Sequence, residues 1–255
     1  MTEKYSRLTK DRSGAQIQDM LFAYAKCHKD NIVYKGGCDH EHVRSRDNER
    51  LHQTIKITTS LCNFIGIPVP VIDDKLFDSD KIIINYRNDN TNDAFNFDFI
   101  KMLHNNAKKN FKKIKSNMHD FIVSLHIRRD DVKQDNKWFF RYVSNEYYLK
   151  ILNSIIKIKP NAKIYLFSDG NENFKEFEKM GCILKINSDI IEAWNYFIQS
   201  DVLIMGSSSF SIVPGIYNIN GIVVYTWNKY FEPLNNWISD KCLDTKIQKL
   251  IDKLR

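Results

Sequence analysis

The chain of 255 residues carries a formal net charge of +7, with 43% hydrophobic and 13% aromatic residues. This length suits one large domain or two of ordinary size, and the apolar content excludes an intrinsically disordered chain. The positive balance favours an anionic partner such as a nucleotide sugar, a polyanion or an acidic membrane surface, without selecting among them. Lysines are spread along the chain, which argues against a dedicated nucleic-acid surface.

Five widely spaced cysteines without a Cys-x-x-Cys pair predict free thiols in a reducing compartment and argue against structural zinc. The first residues contain no apolar signal core, and no run of the sequence approaches a membrane-spanning length. We therefore expect a soluble, cytoplasmic protein without a metal site. Peripheral attachment to a membrane, through charge or a partner, is left open.

The first half of the chain is expected to alternate short strands with helices. The predicted elements are a strand near 5–9, a helix capped by Ser13, a strand at 32–34 ended by Gly36-Gly37, helices over 47–66 and 95–111, and a strand at 82–84. The densest titratable cluster, Cys38-Asp39-His40-Glu41-His42, could supply a general base that activates a hydroxyl group. A solvated loop is the equal alternative, and the spacing is a poor match to zinc sites.

Residues 121–131, Phe-Ile-Val-Ser-Leu-His-Ile-Arg-Arg-Asp-Asp, form the centre of the second half. The apolar run predicts a strand buried on both faces, and its charged end would lie where open α/β sheets bind ligands. Arg128 could there hold a phosphate group through two nitrogens. The alternative is a solvated cluster whose charges pair with each other at little net energy.

Strands and helices alternate regularly after this strand. Helices are expected over 145–158, 171–179 and 189–200 and from about 240, with strands at 164–167, 182–185, 202–205 and 222–225. Such alternation, with small polar residues after the strands, is typical of a parallel, doubly wound α/β sheet.

Three polar strand ends should meet at one edge of this sheet: His126 to Arg129, Ser168-Asp169-Gly170, and Gly206-Ser207-Ser208-Ser209-Phe210-Ser211. Backbone N–H groups and serine hydroxyls at a helix start suit an anion, and Arg128 adds a full charge. This combination predicts a diphosphate site. Neither a Gly-x-Gly-x-x-Gly motif nor a P-loop is present, which disfavours ordinary dinucleotide and ATP sites.

The sequence resembles the α-1,2-fucosyltransferases and their wider GDP-fucose-using relatives. The family motif His-x-Arg-Arg-Gly-Asp is similar to residues 126–131, and its following Tyr-Tyr helix to Asn145-Glu146-Tyr147-Tyr148. The family's FSD strand resembles Ile164 to Asp169, and its closing NSTFSWW segment resembles Asp201 to Ser211. Its N-terminal GNQMFxYA segment resembles Gly14-Ala15-Gln16 together with Phe22-Ala23-Tyr24-Ala25. These matches run in family order over most of the chain.

The resemblance implies a GT-B fold with two Rossmann-type lobes, about 1–118 for the acceptor and 119–255 for the donor. It implies inverting, metal-independent sugar transfer from a nucleotide-diphosphate donor to a glycan, with no cofactor and no nucleic-acid partner. Arg128 matches the arginine that holds the β-phosphate. The other implied donor-site residues are Gly14, Gln16, His126, Arg129, Ser168, Asp169, Ser207, Ser208, Ser209, Phe210 and Ser211. The catalytic base that would deprotonate the acceptor hydroxyl has three candidates: Asp19, Asp39 and His40.

Several positions depart from the family pattern. Asp130 replaces the motif glycine, Ala15 replaces an asparagine, and Ile212-Val213 replaces the paired tryptophans. Ala193, next to Glu192, stands where relatives carry an acidic residue that reads guanine. A different donor, such as UDP-xylose, is therefore an alternative to GDP-fucose. A non-catalytic basic protein that binds nucleic acid or an anionic glycan is a second alternative.

Overall fold

A computed structural model describes residues 2–8, 12–39, 48–77, 79–83, 93, 95–132, 138–170, 172–226 and 231–239. The chain divides into two compact units, Met1–Phe111 and Lys112–Arg255. Each unit contains one parallel sheet with helices between its strands, as the alternating pattern predicts. No helix within the described ranges is long and apolar enough to cross a bilayer.

The N-terminal unit has a four-stranded parallel sheet in the order β3-β2-β1-β4. Its strands are β1 (Glu3–Arg7), β2 (Val33–Asp39), β3 (Val71–Ile72) and β4 (Ile82–Ile83). Its helices are α1 (Ser13–Lys29), α2 (Asn48–Ile65), α3 (Asp74–Phe77) and α4 (Phe97–Ala107), with a 3₁₀ turn at Lys108–Asn110. Fully buried side chains of α1, α2 and α4 form the core, among them Ile17, Leu21, Leu61 and Phe99.

Strand β2 continues through the two glycines that were expected to end it. Gly36 has a φ of +115°, and a Cβ atom there would lie 2.3 Å from the carbonyl oxygen of Val69. The register between β1 and β2 shifts between Lys4 and Ser6, which marks a bulge. Glycine thus bends the strand without ending it, and β2 reaches Asp39.

The start of α1 also differs from the prediction. Arg12, not Ser13, is the N-cap residue, and it makes no side-chain capping hydrogen bond. The hydroxyl of Ser13 instead donates to the carbonyl oxygen of Thr54, at 3.2 Å. The other helix boundaries in this unit agree better with the sequence: α2 ends before Gly66 at a φ of +70°, and Asn96 caps α4.

The C-terminal unit has a six-stranded parallel sheet in the order β10-β9-β8-β5-β6-β7. Its strands are β5 (Ile122–Ile127), β6 (Lys163–Ser168), β7 (Ile183–Ile186), β8 (Val202–Ile204), β9 (Ile222–Tyr225) and β10 (Ile238–Ser239). Its helices are α5 (Asn145–Ile158), α6 (Lys175–Lys179), α7 (Ile190–Gln199) and α8 (Ser209–Tyr217), with a 3₁₀ turn at Phe139–Arg141. All six residues of β5 are buried, which confirms the predicted central strand.

Two elements of this unit differ from the prediction, and one predicted helix lies outside the described residues. Strand β10 was not predicted, because a two-residue strand leaves no periodic pattern. Helix α6 is shorter than the expected 171–179 and begins at Lys175. The helix expected from about residue 240 lies outside the described residues.

The strand order reverses direction beside β5. The chain passes from β5 to β6 and β7 on one side and then returns to β8, β9 and β10 on the other. In doubly wound sheets, ligands bind in the crevice at the carboxyl ends of the two strands flanking such a switch point. The ends of β5 and β8 therefore mark the position of a candidate site.

The second compact unit begins at Lys112, and the predicted lobe bounds of about 1–118 and 119–255 stay a prediction. Lys112 is bound to this unit, since its backbone N–H donates to Asn195 Oδ1 at 2.9 Å and its carbonyl oxygen accepts from Asn195 Nδ2 at 2.8 Å. Lys115 then forms an ion pair of 2.7 Å with Asp201. These contacts attach the segment before β5 to α7 and to the start of β8.

Candidate functional site

Arg128 follows β5 directly and is held by two partners. Its Nε and Nη2 atoms donate to the two carboxylate oxygens of Asp131, at 3.0 and 2.7 Å. Its Nη1 atom donates to Ser208 Oγ at 3.2 Å, across the switch point. The side chain is 14% exposed. Arg128 is therefore a partly exposed charge whose orientation is fixed before any ligand arrives.

The N-terminus of α8 lies at the same place. Ser208 is its N-cap, and its side-chain oxygen accepts from the backbone N–H of Phe210 at 3.2 Å. The buried Ser211 donates to the carbonyl oxygen of Gly206 at 3.1 Å, which fixes the turn between β8 and α8. A helix N-terminus carries a partial positive charge and favours an anion.

Gly206 allows the ends of β5 and β8 to approach each other closely. A Cβ atom at this position would lie 2.9 Å from the carbonyl oxygen of His126 and 3.0 Å from its Nδ1 atom. The contact with the carbonyl oxygen is too short for a Cβ atom unless the backbone shifts, and the contact with the ring is tight. Glycine here is thus required by the close approach of the two strand ends.

His126 is a neutral packing residue at this junction. Its ring packs against Phe197 and Phe210, with centroids 5.7 and 5.2 Å apart. Burial, and then the charges of Arg128 and Arg129, lower its pKa to about 3. Its Nδ1 atom has no hydrogen-bond partner among the described residues. The imidazole therefore adds no positive charge to the site.

Arg129 points into the protein and fixes the loop after β5. Its Nη2 atom donates to Asn145 Oδ1 at 2.6 Å and to the carbonyl oxygen of Val143 at 3.0 Å. Its Nε atom forms an ion pair with Glu172, and its guanidinium lies 4.5 Å from the ring centre of Tyr142. With only 4% of the residue exposed, these contacts indicate a structural role.

The predicted residues at the end of β6 support the same loop. Asp169 Oδ1 accepts from the backbone N–H of Arg129 at 2.8 Å, and Ser168 Oγ donates to the carbonyl oxygen of Ile127 at 2.7 Å. Within this loop Asp130 has a φ of +36°, a conformation that favours glycine.

All predicted donor-site residues of the C-terminal unit thus lie at one edge of one sheet. Arg128, Ser208 and the start of α8 surround the switch point, and Ser209 and Phe210 are half-buried beside it. Ser207 is buried at 3% exposure. The donor-binding roles of these residues stay predictions.

Two residues of the predicted motif and strand ends, which were not among the predicted donor-site residues, have clear roles in the site. Asp131 fixes the guanidinium of Arg128, and Gly206 allows the two strands to meet. The sequence suggested charge pairing within residues 128–131 only as an alternative to ligand binding. The structure combines the pair with a third contact at the switch point.

The remaining predicted residues belong to the N-terminal unit. Gly14, Gln16 and Asp19 lie on α1, and Gln16 is buried and accepts from Thr58 Oγ1 at 2.9 Å. Asp39 ends β2 and is 7% exposed. His40 lies outside the described residues. Within the described ranges, no group of three or more His, Cys, Asp or Glu side chains is arranged to hold a metal ion.

The fold is similar to solved glycosyltransferase structures of low sequence identity. Escherichia coli heptosyltransferase WaaC with ADP matches with a TM-score of 0.52 and 8% identity, over 100% of both chains. E. coli ADP-heptose lps heptosyltransferase II matches at 0.45 and 8% identity, over 100% of this chain and 97% of that one. The Thermosulfurimonas dismutans β Kdo 2,7 transferase KpsC matches at 0.37 and 10% identity, over 92% of this chain and 83% of that one.

The match to WaaC confirms the predicted α/β fold of the GT-B type with parallel sheets. At 8% identity it shows the fold alone. The fucosyltransferase resemblance and the glycosyltransferase activity stay predictions. No protein-family model matches the sequence, and no curated protein matches it.

Proposed function

We propose that the chain is a glycosyltransferase that moves a sugar from a nucleoside-diphosphate donor to a glycan hydroxyl. The observation that carries this proposal is the contact of Arg128 Nη1 with Ser208 Oγ at the N-terminus of α8. A full positive charge and a helix N-terminus there face the crevice where α/β sheets bind ligands. The WaaC structure, which contains ADP, supports a nucleoside diphosphate as the ligand class.

This arrangement would stabilise the leaving group of sugar transfer. As the bond between the sugar and the diphosphate breaks, negative charge accumulates on the diphosphate. A guanidinium held by Asp131 and Ser208 can stabilise that charge without first reorienting. Because this interaction strengthens in the transition state, it raises the rate of transfer as well as the affinity for the donor.

Inversion at the sugar and independence of metal ions belong to the same proposal and follow from the family resemblance. Arg128 and the α8 dipole would supply positive charge that a divalent cation supplies in other transferases. We expect transfer to continue in EDTA, measured as product formed at saturating donor after removal of divalent ions. Loss of transfer in EDTA, restored by Mg²⁺ or Mn²⁺, would contradict metal independence and leave the phosphate site intact.

The donor is proposed to be GDP-fucose, with UDP-xylose as the alternative. The resemblance favours fucose, but Ala193 is buried and has no carboxylate with which to read guanine. Glu192 is 38% exposed on its side chain and is paired with Lys185 at 3.0 Å. Measured binding of guanine and uracil nucleotides must therefore identify the nucleobase of the donor.

The base that activates the acceptor is proposed to be one of Asp19, Asp39 and His40. Among the described residues, Asp39 is the best placed, because it ends β2 at the carboxyl edge of the N-terminal sheet. Replacing Asp39 with asparagine should lower the transfer rate while leaving donor binding unchanged.

A thermal-shift panel with GDP, UDP, ADP, GDP-fucose and UDP-xylose tests the donor site. A ligand that binds only the folded state raises the melting temperature by mass action. We expect one nucleotide to raise it in the wild type and not in Arg128→Ala. Selectivity for GDP would support GDP-fucose, and selectivity for UDP or ADP would change the donor but keep the site. No shift with any nucleotide would favour a non-catalytic binding protein.

A further inference from the structure

A group of aromatic side chains, one exposed and the others half-buried, lies in the loop between β5 and α5. We call Trp138, Phe139, Phe140, Arg141 and Tyr142 the aromatic turn; its centre is the 3₁₀ turn Phe139–Arg141. Phe139 is 62% exposed, and the ring centres of Phe139 and Phe140 are 6.4 Å apart. The proposed donor site does not use these side chains. Large apolar side chains grouped at the surface mark a binding surface more often than single ones do.

The aromatic turn contacts the loop after β5 through Arg129. The guanidinium of Arg129 covers the ring of Tyr142, and its Nη2 atom binds the next carbonyl oxygen, that of Val143. Two backbone hydrogen bonds of 2.8 and 2.9 Å, from Arg141 to Trp138 and from Tyr142 to Phe139, close the turn. Phe139 is therefore presented to solvent by a fixed backbone.

A positive charge lies beside two half-buried rings of the turn. The guanidinium of Arg141 lies 5.2 Å from the ring centre of Trp138 and 5.7 Å from that of Phe140. The surface thus combines an exposed phenyl ring, an indole and a guanidinium. These groups suit the apolar, interfacial and phosphate levels of a lipid surface, respectively.

We propose that the aromatic turn binds peripherally to membranes that contain anionic lipids, with Phe139 entering the interface and Arg141 contacting lipid phosphate. Electrostatics supports this occupant, since the chain has a net charge of +7 and the surface of such a membrane is negative. This inference does not depend on the proposed sugar transfer.

The hydrogen-bonding chemistry of the turn favours lipid phosphate over a glycan. Trp138 and Arg141 side chains donate hydrogen bonds and accept none, and the phenyl rings do neither. Tyr142, the one side chain of the turn that can accept, lies with its ring against Arg129. Sugar hydroxyl groups need acceptors as well as donors, whereas phosphate oxygens only accept. The turn shares the carboxyl edge of the sheet with Arg128, so membrane binding would bring the candidate site close to the lipid surface.

Vesicle flotation with the full chain tests this proposal. The probes are unilamellar vesicles of phosphatidylcholine with 30% phosphatidylglycerol, and vesicles of phosphatidylcholine alone. We expect the wild type to float with the anionic vesicles. Phe139→Ala should bind them about tenfold more weakly, because it lacks the phenyl ring that is proposed to enter the membrane interface. Arg141→Gln should bind the anionic vesicles about fivefold more weakly, and added salt should weaken the wild type.

Phe97→Ala is the matched control. Phe97 is 68% exposed at the start of α4, in the other unit, and its loss should leave flotation unchanged. The proposal is overturned if the wild type does not float with anionic vesicles, or if Phe139→Ala floats as the Phe97 variant does. Sedimentation velocity gives a further test: self-association that disappears in Phe139→Ala, without flotation, would assign the turn to a contact between copies and overturn lipid binding.

Nucleotide binding distinguishes this inference from the proposed function. Phe139→Ala should retain the nucleotide-induced thermal shift of the wild type. Arg128→Ala should lose that shift and still float. The opposite pattern, in which Arg128→Ala abolishes flotation, would show that lipid phosphate binds at the candidate donor site and not at the turn.

Discussion

The Nη1 atom of Arg128 lies 3.2 Å from the hydroxyl oxygen of Ser208, a residue 80 positions further along the chain. The contact joins the ends of β5 and β8, the two strands between which the sheet reverses its order. Asp131 holds the other two guanidinium nitrogens, so the charge is fixed from both sides. The adjacent Arg129 is bound inside the protein instead. Replacing Arg128 is therefore expected to lower activity, whereas replacing Arg129 is expected to lower stability.

Arg128→Ala should lower the sugar-transfer rate at least about 100-fold and leave the fold intact. The loss is that of a preorganised charge at the leaving group, which is typically worth a factor of about 100 to 1,000. The side chain of Asp131 is 24% exposed and can be solvated after the change, so stability should change little. Single-turnover kinetics and circular dichroism measure the two effects.

Arg128→Lys is the control for that variant. Lysine keeps the charge but cannot contact Asp131 and Ser208 with the same fork of nitrogens. A rate between those of the wild type and Arg128→Ala is expected. Near-normal transfer in Arg128→Ala would exclude Arg128 as the phosphate ligand.

Arg129→Ala should destabilise the protein by about 3 kcal/mol, because it removes a side chain that is 4% exposed and leaves its hydrogen-bond acceptors unpaired. The change also removes the contacts to Val143 and Asn145 that fix the start of α5. Urea unfolding of both arginine variants provides the measurement. Equal stability of the two would contradict the structural role of Arg129.

The sequence predicted those parts of the fold that local patterns determine. The buried strand β5 lies within the apolar part of the stretch 121–131, and the helix α5 has its predicted bounds, because apolar runs and helical spacing are local signals. The different roles of Arg128 and Arg129 were not predictable, since they depend on Ser208, Asp169 and Glu172, which approach only in the folded sheet. The continuation of β2 through Gly36 was not predictable for the same reason, because the bulge depends on contacts with β1 and Val69 that form only in the folded sheet.

His126 should make the protein sensitive to acid. Its pKa is lowered to about 3 in the folded state, whereas an unfolded histidine has a pKa of about 6.5. Its contribution to stability is complete above about pH 6.5 and is lost as the pH falls toward 3, because only the unfolded state then takes up the proton. The expected slope is about 1.4 kcal/mol per pH unit. Urea midpoints between pH 7 and pH 4 measure it.

His126→Asn separates the loss of stability caused by His126 at low pH from the loss caused by protonation of carboxylates. The variant should be less stable than the wild type at pH 7, because it loses the ring packing against Phe197 and Phe210. The difference should shrink as the pH falls, since the variant has no proton to take up at this position. Parallel pH profiles for the two proteins would show that His126 is not held neutral.

Asp130→Gly should stabilise the protein by up to about 1 kcal/mol. Asp130 is exposed and has a φ of +36°, where a side chain strains the backbone and glycine does not. Asp130→Val should have the opposite sign and cost about 1–2 kcal/mol, since a β-branched residue tolerates this conformation least. Urea unfolding compares both variants with the wild type, and transfer by Asp130→Gly should be unchanged. If glycine destabilises the protein instead, the carboxylate of Asp130 itself must stabilise the loop, and the departure from the family motif would then reflect that contact.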